Sequence, residues 1–215
     1  MYYLYTVIPP APLTSIWLQI MPTWLDKIDR TWFLFINGTA THPVADAIVP
    51  WWRESITWTP VYVFLLLFAI INYKKESLPW IAMALATILL SDQISSSVVK
   101  PLFARLRPCN DPDLSTQVRL LLDGCGAGYS FTSSHATNHF ALATFLTVTL
   151  RQWVGKYTWV LYLWAASIGY AQVYAGVHYP FDILAGALLG TGIGWFTGNF
   201  YQRNLGPLSP QTQVP

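Results

Sequence analysis

A chain of 215 residues in which 53% are hydrophobic and only 10% charged is too apolar for an ordinary soluble domain. The net charge of +2, with no long run of Lys and Arg, argues against binding to DNA or RNA. What remains is the composition of a membrane protein, rich in tryptophan.

The first twenty residues lack the charge, apolar run and small-residue order of a cleavable signal. Pro9, Pro10 and Pro12 interrupt the apolar run that begins at Tyr2, so the amino terminus is expected to be retained. From Leu13 to Asn37, Asp26, Lys27, Asp29 and Arg30 alternate with Leu25, Ile28, Trp32 and Phe33, a mixture that suits a helix lying in the membrane interface. A crossing helix built from Trp32 onward would also have to bury Thr39 to Val49, and is the minor alternative.

A spanning helix needs about twenty mostly apolar residues to cross roughly 30 Å of hydrocarbon. Five segments qualify: about Ile56 to Tyr73, Trp80 to Val99, Ala136 to Val154, Tyr157 to Gly176 and Phe181 to Phe200. The expected fold is therefore all-α, a polytopic membrane helix bundle of about five transmembrane helices plus an N-terminal interfacial helix. Residues 1–206 would form one integral membrane domain, and 207–215 a disordered tail with three prolines. Lys74, Lys75, Arg151, Lys156 and Arg203 fall on one side of five alternating spans, which the positive-inside rule makes cytoplasmic. The connection from Lys100 to Ser134 and the turn at His178 then face outward, together with the cations Lys27, Arg30, Arg53 and Arg119. Cys109 and Cys125 share that connection, where an oxidising compartment would permit a disulfide.

Lys100, Arg105 and Arg107 border the second span with no acid among them, and the residues before Pro101 and Pro108 should break the helix. Basic side chains at a helix end can simply snorkel, but this is the outer side, where positive charge is not favoured. Ser130, Thr132, Ser133 and Ser134 precede the third span as natural caps, and the amides they introduce attract an anion. His135 in that first turn is placed to protonate a leaving oxygen, with His139 one turn on as a partner or a decoy. His178 and Asp182 stand four apart at the entrance to the fifth span. The carboxylate could fix the imidazole tautomer and leave a nucleophilic nitrogen, or could simply be a first-turn acid. Asp92 and Gln93 within the second span read as interhelical polar contacts, and Gly186, Gly190, Gly194 and Gly198 as a packing stripe. Cations, hydroxyls, imidazoles and a carboxylate at a membrane edge suit a phosphate ester.

In order and placement these clusters resemble the type-2 phosphatidic acid phosphatase superfamily, membrane lipid phosphatases that share a site with vanadium-dependent haloperoxidases. Lys100, Arg107 and Pro108 match its lysine, six residues, arginine-proline motif. Thr132-Ser133-Ser134-His135 stands for proline-serine-glycine-histidine. Ala171-Gln172, His178 and Asp182 stand for serine-arginine, histidine and aspartate. The resemblance implies that His178 attacks phosphorus, Asp182 orients it, and His135 protonates the leaving group and then activates water. Lys100, Arg107, Ser133 and amides near Ser134 would hold the phosphoryl oxygens, with no metal or other cofactor. The implied partners are a membrane lipid phosphate and the bilayer, and the implied setting is the outer face of the cytoplasmic membrane. Phosphotransfer to another lipid, or phospholipid binding without turnover, are the alternatives. Gln172 departs from the family pattern by removing a charge, which Arg105 is expected to replace.

Overall fold

The computed structural model describes residues 16–206. The expected disordered tail, the amino-terminal proline cluster and the start of the interfacial segment lie outside these residues. All regular structure among the described residues is helical. The chain opens with α1 (Ile16–Ile20) and α2 (Thr23–Leu34), which continues into a π-turn at Phe35–Thr39. His42 is extended and its Nδ1 accepts the Val44 amide at 3.2 Å, while Pro43 occupies the first turn of α3 (Pro43–Trp52). This break at residues 40–42 separates Trp32 from Val49, so the two do not form one crossing helix. In α2 the outward face carries Trp24, Ile28 and Trp32, and the inward face buries Asp29 and Phe33. Charge therefore points into the protein and apolar surface away from it.

α4 (Thr59–Tyr73) and α5 (Ser77–Gln93) form a hairpin that reverses at Lys74, whose φ of 50° is left-handed. Both helices contribute to one core of Ala69, Tyr73, Trp80, Leu142, Phe145 and Tyr201. A π-turn at Ile94–Val99 follows, then α6 (Lys100–Phe103). The expected break at Lys100 is displaced to Ala104, which adopts φ 47°. The widened turn re-registers the backbone ladder just where Pro101 supplies no N–H, so the helix passes through the proline. Arg107 is extended, as its following proline requires.

α7 (Ser134–Val154), α8 (Trp159–Tyr174) and α9 (Pro180–Asn204) complete the bundle. α7 and α9 touch backbone to backbone along the glycine stripe. A Cβ at Gly190 would lie 2.1 Å from the Thr137 carbonyl, and one at Gly194 2.2 Å from that of Ala141. Only glycine allows this approach. Its consequence is positional: Ser133 donates its backbone N–H to the Asp182 carbonyl at 3.1 Å, which joins the starts of α7 and α9.

Polar groups line the interior and apolar ones the outside. Thr87 meets Thr197 at 2.8 Å, and Asn138 bonds both Ser91 and Asp92, while Phe64, Leu85, Leu188 and Phe196 are exposed. Hydrocarbon rewards that inversion, since it solvates apolar faces and leaves polar groups to pair internally. Gln93 departs from the expectation: it is exposed and bonds only Ser97 on its own helix. Two helical stretches, Ser55–Asn110 and Pro180–Asn204, are long and apolar enough to cross a membrane by length and composition.

Candidate active site

Alternation of the helices collects Arg53, the Lys100 end of α5–α6, and the starts of α7 and α9 at one end of the bundle. Lys74, Arg151, Lys156 and Arg203 lie at the other.

His178 and Asp182 are buried at the entrance to α9. Pro180 sits in the first turn, and the Asp182 carboxylate reaches back to accept the Tyr179 N–H at 2.8 Å, a reciprocal cap that fixes its position. The same oxygen, Oδ2, accepts from Ser130 Oγ at 2.5 Å and lies 3.4 Å from His178 Nδ1. Oδ1 accepts from Arg105 Nη1 at 2.8 Å. Asp182 is therefore saturated, and on the cleft side it faces the imidazole, with Lys100 and Arg107 within electrostatic range. Burial, with Arg107 and Lys100 nearby, pushes the His178 imidazole down to about 3, against the pull of Asp182. At neutral pH the ring carries a lone pair.

Behind Asp182, Arg105 is 4% exposed and clamped between the rings of Trp17 and Tyr179, its carbon 3.8 Å from each centroid. Its Nη2 donates to Asp29 Oδ2 at 2.6 Å, and Asp29 Oδ1 accepts the Phe181 N–H at 2.9 Å. One guanidinium thus serves two buried carboxylates, and burial pushes Asp29 up to about 6 despite the pull of Arg105. Arg105 does not take the place of a phosphate ligand. The physical reason is charge: two buried acids hold it on the far side of Asp182.

The cleft side is basic. Lys100 forms no ion pair among the described residues, and Arg107 donates only to carbonyls, those of Ala127, Gly128 and Val177 at 3.2 to 3.5 Å. The loop supplying two of these carbonyls is stapled by the Cys109–Cys125 disulfide, with Cα atoms 5.8 Å apart. Gly126 and Gly128 take φ of 73° and 78° there, where a side chain would be strained. His178 is within electrostatic range of both Lys100 and Arg107, and His135 within range of Arg53, His178 and Lys100.

Ser133 caps α7, its Oγ accepting the Ala136 amide. Its own amide is committed to Asp182, whereas the Ser134 and His135 amides have no acceptor earlier in the helix. Ser134 Oγ pairs with Ser95 at 3.0 Å. His139 bonds the His135 carbonyl at 2.7 Å and packs on Trp164, so it supports the backbone beside His135. His135 lines two adjoining clefts. One holds Arg53, Arg107 and Val177; the other holds Tyr62, Asp92, Ser134 and Asn138.

The fold gathers the candidates Lys100, Arg107, Ser133, Ser134, His135, His178 and Asp182 at one end of the bundle. Gln172 is also at this end, buried on α8, where its Oε1 accepts Arg53 Nε at 3.1 Å. Arg53, beside Glu54, and Asp29, among Asp26, Lys27 and Arg30, have no motif spacing to the three clusters, so the sequence alone assigns neither to the site. Among the described residues no group of three or more His, Cys, Asp or Glu is arranged to hold a metal ion.

The chain is 32% identical over 198 residues to the lipid A 4′-phosphatase of Bacteroides thetaiotaomicron, covering 91% of this chain and 86% of the relative. It is 34% identical over 178 residues to that of Porphyromonas gingivalis, covering 81% and 73%, and 31% identical to an undecaprenyl-diphosphatase of Sulfolobus acidocaldarius, covering 75% and 70%. Among solved structures, Aquifex aeolicus LpxE superposes with a TM-score of 0.59 at 28% identity, covering 79% of this chain and 94% of LpxE. The transmembrane PAP2-type phosphatidylglycerolphosphate phosphatase of Bacillus subtilis shares the fold at a TM-score of 0.64 and 19% identity, covering 87% and 90%. The family model described as the PAP2 superfamily matches residues 80–205, more than half of the sequence, and the chain belongs to that superfamily.

Proposed function

We propose that the protein is a membrane lipid phosphatase acting through a phosphohistidine at the outer face of the cytoplasmic membrane. The observation that carries this reading is the pairing of a buried, neutral His178 with a saturated Asp182, beside a cleft of cations bordered by His135. The Nδ1 side of His178 is turned to Asp182, so Nε2 is the nitrogen for attack. It bonds to phosphorus as the phosphorus–oxygen ester bond breaks, and His135 gives its proton to the departing oxygen. His135 then takes a proton from water, the resulting hydroxide attacks the phosphohistidine, and inorganic phosphate leaves with His178 regenerated. Lys100, Arg107 and the Ser134 and His135 amides supply donors to the phosphoryl oxygens, so the charge that builds up meets fixed cations. This set neutralises the phosphoryl group without a metal.

Relatives named as lipid A 4′-phosphatases and an undecaprenyl-diphosphatase support a lipid phosphate as the substrate and make lipid A and undecaprenyl diphosphate the first candidates to test. A site where apolar helices end meets headgroups presented by the bilayer. The Lys and Arg of the opposite end favour a cytoplasmic location for that end and an outward one for the site. The test is phosphate release by purified protein from lipid A, undecaprenyl diphosphate, phosphatidylglycerol phosphate and phosphatidic acid, with and without a chelator. Release that survives the chelator and vanishes in His178→Ala at unchanged melting temperature is expected; full activity of that variant would refute the mechanism.

A further inference from the structure

Gln172 is fully buried on α8, yet its Nε2 has no hydrogen-bond partner, while its Oε1 holds Arg53 Nε at 3.1 Å. A buried amide with one half committed and the other unsatisfied costs free energy unless something else fills the vacancy. Arg53, in the turn between α3 and α4, is itself mostly buried, its side chain 12% exposed. Among the described residues its one carboxylate partner is Glu54, whose side chain is 45% exposed and adjacent in sequence. Arg53, Arg107 and His135 line one cleft of about 320 Å³, with Val177 in its wall next to His178. Arg107 is bonded there only to carbonyls. Two guanidiniums face one cleft whose carboxylates are Glu54, paired with Arg53, and the exposed Asp123, paired with neither; the two arginines share no carboxylate, and their common complement is a multiply charged anion.

The geometry points to Arg53 as a phosphate-binding residue of this site, with Gln172 as the positioning residue that orients it. This assignment rests on the phosphatase reading and extends it to a residue outside the three motif clusters. Gln172 takes the Nε edge of the guanidinium, so the Nη edge is left to face the anion. Glu54 pairs with part of that edge and is exposed enough to yield it to a phosphoryl group. The charge absent at position 172 is thus restored from a different helix end, and Arg105 is free to serve Asp182.

The experiment is titration of full-length protein in detergent with inorganic orthovanadate, together with kinetics on the lipid phosphate that the wild type hydrolyses. Arg53→Gln should weaken vanadate binding by about tenfold to a hundredfold, the worth of one charge-assisted hydrogen bond, and should raise KM and lower kcat together. Arg53→Lys keeps the charge but loses the planar contact with Gln172, and should fall between Arg53→Gln and the wild type. Returning a guanidinium from the other side, in Arg53→Gln/Gln172→Arg, should recover vanadate affinity and turnover, which a merely structural role for Arg53 would not produce. If Arg53→Gln lowers the melting temperature but binds vanadate as the wild type does, or if the double variant shows no recovery, the assignment is overturned. A wild type that neither binds vanadate nor releases phosphate, with His178→Ala indistinguishable from it, would instead sink the phosphatase reading.

Discussion

Arg105 Nη1 donates to Asp182 Oδ1 at 2.8 Å from the side opposite His178. The acid that orients the imidazole is therefore itself oriented by a guanidinium that also binds Asp29. Removing one partner of a buried charge cluster leaves the others unpaired, at a cost of roughly 3–5 kcal/mol. Arg105→Ala should therefore lower the melting temperature sharply and abolish turnover. Arg105→Lys, which keeps charge but cannot bridge two carboxylates in one plane, should fold with kcat reduced and KM near that of the wild type. A raised KM at unchanged kcat in Arg105→Lys would place Arg105 on the substrate instead. The measurement is steady-state kinetics beside a thermal melt in detergent.

The contact between α7 and α9 sets the distance between the two halves of the site. Gly190→Ala puts a methyl 2.1 Å from the Thr137 carbonyl, a backbone atom that cannot rotate aside. Overpacking of this kind costs about 1–3 kcal/mol, and here it also strains the Ser133–Asp182 hydrogen bond that joins the helix starts. Loss of activity out of proportion to the loss of stability is expected. Gly192→Ala is the control, since its methyl would meet nothing within 4 Å, and it should match the wild type in activity and equal or exceed it in melting temperature.

The pattern of legibility follows from how each residue earns its place. Apolar runs, the glycine stripe and the caps are local signals, so the helices and the Lys100, Ser133 and His178 clusters could be read from spacing alone. The direction in which a long cation points is set by which acids the fold brings near it. Arg105 stands in a basic cluster with Lys100 and Arg107, and Arg53 beside Glu54, and only tertiary packing sends the first to Asp29 and Asp182 and the second to Gln172. Asp29 was visible as an interfacial charge, but its contact with the Phe181 amide joins positions 152 residues apart. The helix that continues through Pro101 depends on a π-turn that carries no composition signature.

Reduction of the Cys109–Cys125 disulfide tests how the loop holds Arg107. Opening a loop of this length costs about 3 kcal/mol in the chain-entropy view. The carbonyls of Ala127 and Gly128 that receive Arg107 lie just beyond Cys125, so they lose their anchor first. Cys109→Ser/Cys125→Ser should raise KM more than it lowers kcat, and a reducing agent should do the same to the wild type but not to the double variant. Equal kinetics with and without the bridge would show that the Ala127, Gly128 and Val177 carbonyls hold Arg107 without the disulfide.

Acid should destabilise the protein through His178. Its ordinary value near 6.5 falls to about 3 in the fold because burial penalises the imidazolium. A group depressed on folding contributes stability that is present above its unfolded value and lost as pH falls through the folded one, so the loss runs from about pH 6.5 down to about 3. Asp29 acts with the opposite sign over part of that range. Raised from 3.8 to about 6, it favours the folded state below pH 4 and withdraws that contribution as pH climbs toward 6. Melting temperature against pH for the wild type, His178→Asn and Asp29→Asn separates the two. Relative to the wild type, His178→Asn should lose less stability on acidification from pH 6.5, and Asp29→Asn should lose more between pH 6 and 4. Because His178 is already neutral above about pH 5, lowering pH from 8 to 5 should not silence the nucleophile; burial and the nearby Arg53 hold His135 well below the ordinary imidazole range, so the alkaline fall in kcat/KM that reports loss of its donated proton should begin below pH 6.5. An acid limb of kcat/KM near pH 6.5 that disappears in Asp182→Asn would contradict this, since it would mean that His178 titrates as an exposed imidazole does.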